Sequence, residues 1–310
     1  MIILQNETRR QIVENETVNG INVTVNLKSS VLNDEIPDTN YNQAVGFDAA
    51  NVSVEVSLMR NGKKTEIIPG KSLALLANFY TILKSSDQWQ KGLIVVDKGA
   101  ASYQQVQRTL FIPFHGHINL KGDDQMIITV QVNRGTYNAG VDASASTIKV
   151  EQNQSIGVGM ATYKFESYAI QANQDTESIN LGDNVERVAL VSFSKTQLKP
   201  IFKSASLSSD RLDWTKNEAE LWLQHLQNFD NVNQNAPNRY GANVYPENRL
   251  LHLNNEIDRA KINVRLQPNN VVASENYICW ISFTVNADDV TRGNEMLAKH
   301  HVKNMEKILL

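Results

Sequence analysis

The sequence predicts an all-β protein made of two tandem, eight-stranded jelly-roll β-barrels, each with one inserted helix, followed by a C-terminal helix. Three observations point there. Short runs with apolar residues at every second position recur along the chain, separated by turn residues. A 26-residue phrase of strand, polar turn and strand occurs twice, as RTLFIPFHGHINLKGDDQMIITVQVN (Arg108–Asn133) and KINVRLQPNNVVASENYICWISFTVN (Lys261–Asn286), 153 residues apart. Within it MIITVQVN falls on CWISFTVN, with Ile128/Ile281, Val132/Val285 and Asn133/Asn286 identical. Finally, one stretch of helical period interrupts the strands at the same step of each half. Evenly spaced short strands mean a sandwich or a barrel, and a helix at matched steps favours two copies of one barrel over a single large sheet.

The elements follow in order. Gly20 to Val31 alternates through Ile21, Val23, Val25 and Leu27, and Val52 to Leu58 through Val52, Val54, Val56 and Leu58. Asn61-Gly62 marks a tight turn into Thr65 to Ile68. Ser72 to Lys84 changes period: Ser72 is a candidate N-cap, and Leu73, Leu76, Tyr80 and Leu83 share one helical face. Strands return at Leu93 to Val96, Thr109 to Phe114 and Met126 to Val132. The segment Gly135 to Met160, rich in Gly, Ala and Ser, reads as a linker plus a connecting strand, which divides the chain at 149/150.

In the second half, Thr162 to Ile170, Arg187 to Phe193 and Ile201 to Leu207 read as strands. A helix is expected from Thr215 to Phe229, opened by the capping box Thr215/Glu218 and striped by Ala219, Trp222, Leu226 and Phe229. An Asn-rich loop over Asn228 to Asn248 precedes strands at Leu250 to Leu253, Ile262 to Leu266 and Tyr277 to Val285. The final helix, 290–310, places Ala298, Val302, Met305 and Leu309 on one face and is expected to pack on the second barrel. Its Lys299, Lys303 and Lys307 would suit a membrane surface or a neighbouring subunit.

Composition narrows the function. Residues 1–150 carry 14 basic and 14 acidic side chains, and residues 151–310 carry 16 and 19, a balance that argues against a dedicated nucleic-acid binder, which needs a concentrated basic face. Asparagine occurs 35 times, which suits left-handed turn positions. The four apolar residues opening MIILQNETRR are too few for a secretory leader, so the Asn-x-Ser/Thr triplets at Asn6, Asn15, Asn22, Asn51 and Asn153 are expected to be unglycosylated. Cys279 is the only cysteine and lies in a strand pattern, where burial is expected.

Candidate chemistry is sparse. His115-Gly116-His117 would put two imidazoles on one side of a strand, with Asp123 or Asp124 close by on the same turn as a third metal ligand. Cupin metal sites continue His-x-His with a glutamate, where this chain has Lys121 and Gly122. The acid pairs Glu218/Glu220, Asp175/Glu177 and Asp288/Asp289 sit near helix starts or turns, where capping and solvation account for them. No phosphate loop, nucleophile elbow or Cys-His pair is present, so no catalytic or cofactor-binding residue is assigned. Trp89 and Trp214, beside loops or caps, are the two aromatics suited to stack on a sugar.

In its order of elements the chain resembles the double-jelly-roll major capsid proteins of membrane-containing icosahedral viruses, and most of all their small bacteriophage members. That resemblance rests on the in-barrel helices at Ser72–Lys84 and Thr215–Phe229, the Gly135–Met160 linker and the terminal helix. It implies a non-enzymatic subunit of the virion, made in the host cytoplasm, that forms pseudo-hexagonal homotrimers and a capsid lattice over an internal lipid membrane. Minor capsid and vertex proteins would be its other partners, calcium or another divalent cation would fit between subunits, and nucleic acid would not be touched directly. The competing reading is a two-jelly-roll glycan-binding or glycan-cleaving protein that uses Trp89 and Trp214.

Overall fold

The computed structural model describes residues 1–28, 46–84, 93–95, 105–137, 140–158, 161–171, 173–192, 202–211, 213–217, 220, 249–271, 276–285, 291 and 294–298. The first half consists of β1 (Ile2–Ile3), β2 (Glu7–Val13), β3 (Thr17–Lys28), β4 (Gly46–Asp48), β5 (Val52–Arg60), β6 (Lys63–Ser72), α1 (Leu73–Lys84), β7 (Leu93–Val95), β8 (Gln105–Asn119), β9 (Gln125–Val132) and β10 (Thr147–Gln154). The second has β11 (Ala161–Ala169), β12 (Thr176–Gly182), β13 (Val185–Ser192), β14 (Phe202–Ser208), β15 (Asp213–Asn217), β16 (Arg249–Ile257), β17 (Ala260–Leu266) and β18 (Asn276–Val285).

The first barrel pairs two antiparallel sheets, β1-β10-β3-β8 and β2-β9-β5-β6, and the second pairs β11-β18-β13-β16 with β12-β17-β14-β15. With the short β4–β7 pair set aside, both halves run first-eighth-third-sixth in one sheet and second-seventh-fourth-fifth in the other. Two identical strand orders of this kind are two jelly rolls in tandem.

The duplication is real, but the two matching 26-residue phrases are not its copies. Arg108–Asn133 contains β8 and β9, the sixth and seventh strands of its barrel, whereas Lys261–Asn286 contains β17 and β18, the seventh and eighth. Their likeness reflects a shared strand period and not equivalent positions. The expected boundary at 149/150 likewise falls inside a strand. β10 pairs with β3 from Thr147 to Gln154, so it belongs whole to the first barrel, and the crossover lies after it.

Asparagine accounts for the sharp turns. Among the described residues six non-glycine residues have positive φ, and five of them are asparagine: Asn6, Asn15, Asn61, Asn173 and Asn184. Asn6 and Asn173 sit between the first and second strands of their barrels, and Asn15 and Asn184 between the second and third. These are equivalent turns in the two halves, each using the residue that best tolerates the left-handed region. Asn61 and Gly62, with φ of 48° and 74°, make the predicted two-residue hairpin between β5 and β6.

Both helix starts hold a capping interaction, one of them displaced. The Ser72 hydroxyl accepts from the Leu75 amide at 3.3 Å, as predicted. In the second barrel, Thr215 lies in β15 paired with Ser206, so it caps nothing. The box forms at Asn217 and Glu220 instead. The Glu220 carboxylate accepts from the Asn217 amide at 2.8 Å, and the Asn217 side chain accepts from the Glu220 amide at 3.1 Å. The rest of that predicted helix and the Asn228–Asn248 loop lie outside the described residues.

Candidate functional site: the wall between the barrels and the junction at one barrel end

The two barrels share a buried wall centred on α1. Leu73, Ala74, Leu75, Leu76, Ala77 and Phe79 are all at most 2% exposed, so the helix is enclosed around its circumference over 73–77 and not only along the predicted stripe, whose Tyr80 and Leu83 side chains lie outside the described residues. One side of it packs on β5, β6 and β8, and another on β13 and β16 of the second barrel. Phe79 meets Phe165 of β11 edge to face, with ring centroids 5.0 Å apart.

β18 shows why its sequence, NYICWISFTV, is apolar almost without a break. Ile278 and Trp280 belong to the second barrel's core, whereas Cys279 and Ile281, pointing the other way, join the first barrel's cluster with Phe165 and Ala189. A strand buried on both faces loses the polar half of its alternation. The Trp280 indole N–H donates to Glu166 Oε2 at 3.1 Å. Burial pushes the Cys279 thiol well above its ordinary range, with the Lys71 charge acting the other way.

The second feature lies where the first barrel's β2–β3 and β8–β9 turns meet the crossover. The β3–β8 register jumps here: Gly20 faces Pro113 and Val18 faces Ile118, so four residues of β8, 114–117, run against Asn19 alone of β3. His115, Gly116 and His117 fall in this bulge, and strict alternation does not apply to them. His117 Nδ1 lies 2.9 Å from the Ser155 hydroxyl, and Gly157 covers the ring so closely that a Cβ there would come within 2.4 Å of Nε2. Asp123 is exposed and Asp124 is the buried carboxylate. Among the described residues no group of three or more His, Cys, Asp or Glu side chains is arranged to hold a metal ion.

Asn119 and Asp124 organise the junction. Asn119 is fully buried and donates to the Thr17 hydroxyl and the Gly157 carbonyl, both at 2.9 Å, while its own carbonyl accepts from Arg60 at 2.9 Å. Arg60 Nε stands 3.4 Å from Asp124 Oδ2, with side chains 11% and 4% exposed. Lys121 forms an ion pair with Glu295, and the Thr17 hydroxyl donates to the Met296 sulfur at 3.6 Å. Two barrel turns, the β5–β6 hairpin, the crossover and the chain's final helical segment are thereby tied together. Met296 and Leu297 also line a cleft of about 240 Å³ with Asn15, Thr17, Gln154 and Ile156.

This corrects the expectation for the terminal helix, which at 294–298 sits on the first barrel and not on its own. Ala298, assigned to the buried stripe, is exposed, and Met296 and Leu297 are half-buried. Lys299, Lys303 and Lys307 lie outside the described residues, as does Trp89. Trp214 is the second residue of β15, near the strand's start, and pairs with Leu207. Among the described residues no helix is long and apolar enough to cross a membrane. Sequence reasoning missed Arg60, Asn119, Phe79 and Phe165, whose only signal was a polar or aromatic residue at the end or middle of a strand or helix pattern.

No family model and no curated protein matches the chain by sequence. Among solved structures it is similar to the major capsid protein of Sulfolobus turreted icosahedral virus, with TM-score 0.59 at 11% identity, covering 92% of this chain and 94% of that one. The major capsid protein P2 of bacteriophage PM2 also aligns, with TM-score 0.44 at 10% identity, over 94% and 99% of the two chains. Strand order, paired barrels and end-to-end alignment with the first of these agree: the chain has the double-jelly-roll fold found in that viral major capsid protein.

Proposed function

We propose that this chain is the major capsid protein of an icosahedral virus, a structural subunit whose work is self-assembly. The observation that carries the reading is the end-to-end match of both barrels and their connection to a solved capsid subunit of nearly equal extent. The buried wall supports it, since a lattice tile must keep its two barrels in one fixed relation. Three copies would form a pseudo-hexagonal trimer of six barrels, tiling over an internal membrane and meeting minor proteins at the vertices. Near-balanced charge agrees with a shell that does not hold nucleic acid itself.

Light scattering on the purified protein, with and without calcium, tests the reading. The expected mass is three times the 34.8 kDa chain, or larger ordered particles visible by electron microscopy. A mass that rises only with calcium would assign a cation to the subunit interfaces. A monomer under both conditions would overturn the capsid reading.

A further inference from the structure

The dipeptide Asn-Gly occurs twice in the chain, at Asn19-Gly20 and Asn61-Gly62, and the fold treats the two in opposite ways. In such a pair the glycine amide nitrogen can reach the asparagine side-chain carbonyl carbon, because no side chain on the glycine stands in the way. Whether it does so depends on how freely the backbone there can turn.

Asn19-Gly20 lies inside β3, a strand that pairs with β10 on one side and β8 on the other. Gly20 is buried opposite Asn153 and Pro113, so tightly that a Cβ would come within 2.5 Å of the Ile112 carbonyl and the Phe111 ring. The Asn19 side-chain carbonyl is itself engaged, accepting from the Asn153 side chain at 2.7 Å. Neither reacting group moves unless the sheet opens.

Asn61-Gly62 is the tip of the β5–β6 hairpin. Residues 61–66 are all exposed, and a Cβ built on Gly62 would meet nothing within 4 Å. A tip with so little buried surface opens locally at small cost. The other asparagines with positive φ, Asn6, Asn15, Asn173 and Asn184, are followed by Glu7, Glu16, Gln174 and Val185, whose side chains hinder the same approach.

We propose that Asn61 is a site of spontaneous deamidation in the folded protein and that the sheet shields Asn19 from the same reaction. The Gly62 nitrogen bonds to Asn61 Cγ, the Cγ–Nδ2 bond breaks, and Nδ2 leaves as ammonia with the proton that the Gly62 nitrogen gives up. Water then opens the cyclic imide at one of its two carbonyls, giving aspartate or isoaspartate. Isoaspartate adds a carbon to the main chain of a two-residue turn whose left-handed pair sets the Arg60–Lys63 register. The Arg60 guanidinium holds the Asn119 carbonyl and Asp124, so a change at the tip reaches the junction.

The test is peptide mass mapping of the full-length protein, held for several weeks at body temperature and mildly alkaline pH, either folded in buffer or unfolded in guanidinium. Cleavage after glutamate puts Asn61 in the peptide 56–66 and Asn19 in the peptide 17–35, and fragment spectra place the gain of one dalton. In the folded protein Asn61 is expected to react at least about tenfold faster than Asn19, the ratio given by about 1.4 kcal/mol of difference in opening free energy. In guanidinium the two should react at similar rates. An Asn61 that reacts only in guanidinium overturns the proposal, as do equal rates at the two sites in the folded protein. Asn61→Gly suits the left-handed turn and has no amide to lose. Aged wild type should unfold at a lower urea concentration than fresh protein, and aged Asn61→Gly should not; equal losses in the two overturn the link to the junction.

Discussion

Asp124 and Arg60 show how little of a residue's role is visible in its local sequence. Asp123 and Asp124 are neighbours in the same turn, yet one is exposed and the other is 3% exposed beside a guanidinium. Taking away one partner of a buried pair strands the other charge, so Asp124→Ala should lower stability by about 3–5 kcal/mol in urea denaturation. Ala at Asp123 should change it by less than about 0.5 kcal/mol. Equal losses at the two sites would mean that Asp124 does not anchor the junction. The bulge that holds His115 and His117 was likewise hidden, because a bulge is set by the partner strand. Asparagine was the legible exception, because left-handed tolerance belongs to the residue itself.

Among the elements, α1 has the widest consequences. Its helical period and Ser72 cap are written in the sequence, but its burial on all sides depends on a sheet about 100 residues further along the chain. Phe79→Ala should cost about 3–5 kcal/mol. A double-mutant cycle with Phe165→Ala should return a coupling of about 0.5–1.5 kcal/mol from the ring pair. Strictly additive effects would show that the contact is not shared between the barrels. β18 was recognisable as a strand from its β-branched and aromatic content, though which face each side chain served was not, since both faces are covered. Strands β2 and β15 were missed because polar edge strands lack the alternation that marks a half-buried one, and β1 because two residues are too few to show a period.

For the whole molecule, the first core cluster contains Phe165, Ala189, Cys279 and Ile281 from the second barrel, so the two barrels should not melt independently. Calorimetry is expected to give one cooperative transition, and two well-separated peaks would contradict a shared wall. The sequence by itself determined that the chain is β-rich, that it carries two similar sets of strands, and that Asn61-Gly62 makes a tight turn. All of these follow from local backbone preference and side-chain period. Only the tertiary structure decided which strands are true equivalents, that β10 closes the first barrel, that the segment 294–298 lies on that barrel, and which strands meet in the wall between the two. Those outcomes depend on contacts between residues far apart in the chain, whose pairing leaves no mark on the local pattern of either segment.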